Sequence, residues 1–93
     1  MKEFYLFNKD LEYKKFNERI IPTKYEIVGI RVPILKKYIK SIKKYIRTDR
    51  KYYEDFLIEI YSLNYTEDIK KTEILEELLE YFDNWALVDF TIS

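Results

Sequence analysis

Neither cysteine nor histidine occurs in this sequence. Without cysteine there is no disulfide framework and no thiolate nucleophile, and a reducing compartment such as the cytosol suits the chain. Without histidine, Ser-His and Cys-His nucleophile pairs and His-ligated metal sites are excluded. Glycine occurs once and proline twice. Strand-rich folds need many turn residues, so this scarcity favours helices joined by short connections. No apolar run approaches the roughly 20 residues that cross a bilayer, so no membrane partner is expected. Met1 to Phe7 is too short and too interrupted for a signal peptide. The expectation is one soluble, cytoplasmic, all-α domain over residues 1–93.

Charge is abundant but unevenly placed. The chain is neutral overall, with 17 basic and 17 acidic residues. Residues 33–51 hold eight Lys or Arg against Asp49 alone, whereas residues 52–93 hold two Lys against eleven acids. A basic middle and an acidic end therefore follow one another.

Apolar spacing predicts helices joined as antiparallel pairs. Residues 8–21 read as the first, with Asn8 or Asp10 as cap and Tyr13, Phe16 and Ile20 at helical spacing. Pro22 ends it. Gly29, the one glycine, suits a positive φ or a close backbone approach. Pro33 opens a second helix, reaching about residue 47. Leu35, Tyr38, Ile39, Ile42, Tyr45 and Ile46 form its apolar stripe, and Lys36, Lys40, Lys43 and Arg47 form a basic one. Thr48 or Asp49 caps a third helix, in which Tyr53, Phe56, Leu57, Ile60 and Tyr61 face inward. Thr66 caps a fourth, with Ile69, Leu75, Leu78, Leu79 and Phe82 as its stripe.

Asp83 or Asn84 opens a short fifth helix that carries the one tryptophan, Trp85. Trp85 and Asp89 then lie one turn apart on one face. An aromatic plate beside a carboxylate is an unusual thing to build into a surface. The plainer reading packs Trp85 in the core and leaves Asp89 in solvent.

Two stretches carry a resemblance. Gly29-Ile30-Arg31-Val32-Pro33-Ile34-Leu35-Lys36, following Ile21-Pro22-Thr23, resembles a Gly-hydrophobic-Arg-x-Pro-x-Leu signature. Asp83-Asn84-Trp85-Ala86, with Asp89 beyond it, resembles an Asp-Asn-Trp-Ala-x-x-Asp signature. Together and in this order they are similar to the AlkD-like DNA alkylation repair glycosylases, over roughly residues 10–89. The resemblance implies a HEAT-like α-α superhelix that holds alkylated double-stranded DNA on a basic concave face. It also implies release of 3-methyladenine and 7-methylguanine by hydrolysis of the N-glycosidic bond. Asp89 is then the catalytic carboxylate and Trp85 the residue against the DNA near the lesion. Arg31, Lys36, Lys40, Lys43 and Arg47 are the candidate DNA contacts, and neither a cofactor nor a metal is called for.

The family's members are longer, and their further repeats bring a second Trp and an Arg to the site. The chain is therefore expected to be an N-terminal portion, either a piece of a longer protein or a natural truncation, inactive by itself. Trp85, Leu87, Val88, Phe90 and Ile92 on an uncovered terminal helix imply self-association as a homodimer. The alternative to an enzyme is a non-catalytic helical-repeat module that binds protein or DNA, in which the lysines form only a solvated face.

Overall fold

The computed structural model describes residues 2–83. Five α-helices follow one another within them: α1 Lys2–Asn8, α2 Leu11–Ile20, α3 Val32–Ile42, α4 Tyr53–Ser62 and α5 Asp68–Leu79. A 3₁₀ turn at Leu63–Tyr65 leads from α4 toward α5. The expected all-α class is the one observed. The extended connections meet at an isolated bridge between Glu26 and Tyr52.

Helix α4 is the centre of the molecule. Every residue from Tyr53 to Ile60 is buried, as is Ser62. Burial on all sides suits its run of Phe56, Leu57, Ile58 and Ile60, each contributing about 1.5–3 kcal/mol when removed from water. Leu35 and Ile39 of α3, Ile27 and Ile30 of the preceding connection, and Leu78 of α5 pack in the same cluster. Phe56 meets three rings, those of Tyr25, Tyr81 and Phe82, with centroids 4.7, 5.8 and 6.4 Å away.

The predicted first helix, over residues 8–21, is α2, and a helix that was not predicted, α1, precedes it. Asn8 does not cap α2; it closes α1, its side-chain N–H donating to the Phe4 carbonyl at 2.9 Å. Asp10 caps α2, accepting from the Tyr13 N–H at 3.1 Å. The N–H of Asp10 donates outside the helix, to the Gly29 carbonyl at 2.8 Å, so the chain turns between the helices. Helix α1 was hidden because its fixed points are distant. Tyr5 donates its hydroxyl to Asp55 at 2.5 Å, and Phe4 stacks on Tyr38. The apolar positions of α2 do not all face a core. Phe16 and Ile20 are exposed, and Asn17 is its buried residue.

The second helix begins as expected, with Pro33 in the first turn of α3, but stops five residues short. Lys43 adopts the left-handed conformation (φ 57°) and its N–H closes on Ile39. The following residues are helix-competent, but α4 offers them better partners. The Ile46 N–H donates to Ser62 Oγ at 3.0 Å, Thr48 Oγ1 donates to Glu59 at 2.8 Å, and the Tyr45 hydroxyl donates to Glu59. Tertiary bonds thus replace the intrahelical ones, and Arg47 leaves the lysine stripe.

Two caps also move. Helix α4 starts at Tyr53, not near Thr48 or Asp49, because Asp55 accepts from the Lys51 and Tyr52 N–H groups at 2.9 and 3.0 Å. Thr66 ends the 3₁₀ turn, and Glu67 rather than Thr66 precedes α5. In α5, Leu78 is buried while Ile69 and Leu79 are exposed. The expected fifth helix, with Trp85, Asp89 and the apolar residues assigned to self-association, lies outside the described residues.

Gly29 meets both conditions expected of it. Its φ is +96°, and a Cβ there would lie 2.6 Å from the Asp10 carbonyl oxygen and 2.7 Å from Lys14 Cβ. The first of these contacts is backbone and cannot rotate away. Gly29→Ala is therefore expected to lower stability by about 2–4 kcal/mol, from strain and overpacking together. Chemical denaturation checks it, and a variant as stable as the parent would contradict the packing described here.

Candidate nucleic-acid interface

The exposed face of α3 carries Lys36, Lys37 and Lys40, and Lys43 and Lys44 follow at its C-terminal end. No acid occurs between Val32 and Thr48. Among the described residues, no carboxylate lies within ion-pairing distance of Lys36, Lys40 or Lys43. The Lys36 ammonium sits 5.0 Å from the centroid of the Tyr61 ring, which limits its wandering without neutralising it.

This face is aimed by a connection with no regular structure of its own. Glu54, buried in α4, accepts three successive backbone N–H groups, from Val28, Gly29 and Ile30, at 2.9, 2.8 and 3.2 Å. Burial pushes the Glu54 carboxyl above its ordinary range, and these three donors act against that shift. The connection is thereby pinned just where it turns into α3.

The two candidate arginines behave differently from the lysines. Arg31, immediately before α3, reaches back to Asp10 at 3.3 Å and covers the Tyr13 ring at 4.8 Å. The Tyr13 N–H first, and then Arg31, hold the Asp10 carboxyl below its usual value. Arg47 is not one of a helical stripe of four. It lies on the extended segment after α3 and pairs with Glu77 of α5 at 3.0 Å. Both guanidinium groups tie elements together, so the free positive charge of α3 is lysine charge.

A second basic surface escapes the sequence reading. A cleft of about 940 Å³ opens between α1, the start of α2 and residues 47–52, and Lys2, Lys9, Lys14, Arg47 and Lys51 are among its lining. These cations come from three separated stretches, so no periodicity announces them. Asp55 also lines the cleft, with Tyr5, Lys51 and Tyr52 already bonded to it.

Beneath Arg47 lies an ion cluster. Arg50, held at φ 53°, donates from Nε and Nη2 to the two carboxylate oxygens of Glu59, at 2.9 and 3.0 Å, and from Nη1 to Glu77. Glu59 is fully buried and Arg50 nearly so. Burial, and then the bond to Glu59, push the Tyr45 phenol up to about 12. The left-handed backbone at Arg50 is tolerated because these bonds determine its position from several sides.

Asp83 opens the second signature stretch. Its carboxylate does not face only its own chain direction. It accepts from Thr23 Oγ1 at 2.9 Å and from the Lys24 N–H at 2.6 Å, about sixty residues earlier in the sequence. Trp85 and Asp89 lie outside the described residues. Among the described residues no cluster of three or more carboxylates has the arrangement of a metal site, and no helix is long and apolar enough to cross a membrane.

Residues 7–93 match a family model described as DNA alkylation repair enzyme. Neither a curated protein nor a solved structure matches the chain.

The pairing of Glu77 has a pH signature. Arg50 first, and Arg47 after it, hold the Glu77 carboxyl below its ordinary value of 4.5. A depressed folded pKa contributes stability that is present above the unfolded value and lost as pH falls through the folded one. The difference in melting temperature between the parent and Glu77→Gln is therefore expected to be constant above about pH 4.5 and to vanish in stronger acid. Thermal melts across that range check it; a difference unchanged in acid would rule the pairing out as a source of stability.

Proposed function

The chain belongs to the DNA alkylation repair enzyme family, and from that premise we propose that it serves the excision of alkylated purines from DNA, such as 3-methyladenine and 7-methylguanine. The reaction is hydrolysis of the N-glycosidic bond. The observation that carries the reading is the lysine face of α3. Lys36, Lys40 and Lys43 are exposed, close in sequence and unpaired by any carboxylate among the described residues. Such a face suits phosphates, whose contacts position a protein on a duplex without reading its sequence. The arginines are assigned a smaller share, because Arg31 and Arg47 already hold Asp10 and Glu77. A HEAT-like superhelix remains part of the proposal.

Asp89 is the proposed catalytic carboxylate and Trp85 the aromatic contact near the lesion. The chemistry asks little of the protein. A purine alkylated at N3 or N7 is cationic, so it departs as a neutral base and needs no general acid. Positive charge then develops on the sugar. A fixed carboxylate stabilises that charge and can take a proton from the water that adds to C1′. An indole face attracts the cationic base before the bond breaks. A chain with no histidine has the residue types these steps need.

Two experiments bear on this. Three phosphate contacts give a slope of about −3 for log affinity against log salt, from counterion release. Reversing Lys36, Lys40 and Lys43 to Glu is expected to abolish that dependence along with most duplex binding. Fluorescence titration measures it, and salt-dependent binding that survives the triple reversal would move the interface elsewhere, the α1–α2 cleft being the first place to look. For catalysis, Asp89→Asn keeps the shape and removes the charge. In a protein that releases 7-methylguanine, it is expected to lower the rate by about 10²-fold or more. Full excision activity in Asp89→Asn would falsify the catalytic assignment.

A further inference from the structure

The cleft between α1, the start of α2 and residues 47–52 mixes positive charge with exposed apolar surface. Its volume of about 940 Å³ lies at the upper end of the range for small-ligand sites, about 300–1,000 Å³. Lys2, Lys9, Lys14 and Lys51 line it, and none of these is ion-paired with a carboxylate among the described residues. Arg47, also in the lining, is drawn off by Glu77. Of the carboxylates in the lining, Asp55 already accepts from the Tyr5 hydroxyl and from the N–H groups of Lys51 and Tyr52. Glu26 and Asp49 offset part of the charge, and the four lysines leave a positive surplus. Apolar groups lie among the ammonium groups. Leu6 and Leu11 are 58% and 64% exposed. The Tyr52 ring stands at 89° to the ring of Tyr5, with centroids 5.8 Å apart, and Tyr5 is itself tied to Asp55. Tyr52 is thus backed by a fixed neighbour, and the Lys51 ammonium lies 5.3 Å from its centroid.

We propose that this cleft binds an unpaired stretch of nucleic acid, with the lysines on its phosphates and Tyr52, Leu6 and Leu11 against its bases. The inference goes beyond the excision reading and does not depend on it. Single strands are held without sequence preference by grooves of this composition: positive groups follow the backbone, and rings stack on successive bases. A duplex could use the lysines but not the apolar groups, because its base faces are stacked on one another inside it. A lone phosphate would likewise leave Leu6, Leu11 and Tyr52 in water. An acidic peptide would answer the charge, but its carboxylate side chains bring no flat face to Tyr52. The two basic surfaces then divide the work. The exposed face of α3 is convex and suits the outside of a duplex, whereas the cleft is concave and suits a strand whose bases are open.

The probe is a fluorescein-labelled single-stranded oligothymidylate of about eight nucleotides, within the site sizes of single-strand-binding folds. It is titrated over a range of salt beside a duplex of mixed sequence, with circular dichroism confirming the fold of each variant. Four phosphate contacts on a single strand give a slope of about −3 for log affinity against log salt. Reversing the exposed Lys2, Lys9 and Lys51 to Glu is expected to flatten that slope by about 2 and to lower affinity about tenfold or more. Reversing Lys36, Lys40 and Lys43 is expected to leave single-strand binding as it was. If the cleft triple variant does not fold, Lys9→Gln and Lys51→Gln singly are each expected to flatten the slope by about 0.7. Tyr52→Leu keeps apolar bulk and removes the ring, and is expected to weaken binding about five- to a hundredfold, whereas Tyr52→Phe retains it. No single-strand binding at low salt, or binding that survives the cleft reversals, would overturn the proposal. So would competition by an oligoglutamate as effective as that by unlabelled oligothymidylate, or a Tyr52→Leu variant that binds like the parent, since either reduces the cleft to a site for charge alone. Loss of duplex binding in the cleft variants and not in the α3 variant would make the cleft the duplex interface, and would overturn it as well.

Discussion

Three carboxylates on one buried helix hold this structure in place. Glu54, Asp55 and Glu59 of α4 are all buried, and each reaches a different segment. Glu54 takes the backbone of residues 28–30, Asp55 takes Tyr5 and the chain before α4, and Glu59 takes Tyr45, Thr48 and Arg50. A buried charge is costly unless its acceptor capacity is filled. The requirement works in both directions: the donors must come to the carboxylates, so the irregular segments around α4 have fixed paths. Apolar packing explains why α4 is central. It does not by itself explain why residues 43–52 are extended or why the chain before α3 turns where it does.

The same constraint sorts the positive charge. Arginines near a buried or half-buried acid are drawn into pairs, as Arg50 is by Glu59, Arg47 by Glu77 and Arg31 by Asp10. Planar guanidinium groups suit such forked contacts. The lysines of α3 are exposed and have no acid within reach among the described residues. Internal organisation and the proposed DNA contacts therefore use different basic residue types. The acidic C-terminal part of the sequence does answer the basic middle, but locally, through Glu59 and Glu77, leaving the lysine face open.

Membership of a DNA alkylation repair family gives these features a common context. Excision of a cationic base needs positioning and a negative charge more than acid–base machinery. The proposed excision is therefore within the reach of a sequence without histidine or cysteine. What it offers is a pinned connection and a basic helix.

By itself, the sequence determined the helical class, the start of α3 at Pro33, the inward stripe of α4 and the conformation of Gly29. These follow from local sterics and from apolar spacing, which neighbouring residues carry with them. The signature stretches were equally readable, because they are contiguous. Only the tertiary structure decided the rest. Lys43 to Arg47 look like more helix until Glu59 and Ser62 compete for their donors. Phe16 and Ile20 read as core until α2 is placed, and Asn17 is buried instead. Tyr5 has no local reason to be fixed, and finds it in Asp55, fifty residues on. Asp83 reads as a cap for a helix begun at Asn84, yet its carboxylate answers residues 23 and 24. In each case a polar group found its partner far along the chain, and periodicity carries no record of such a partner.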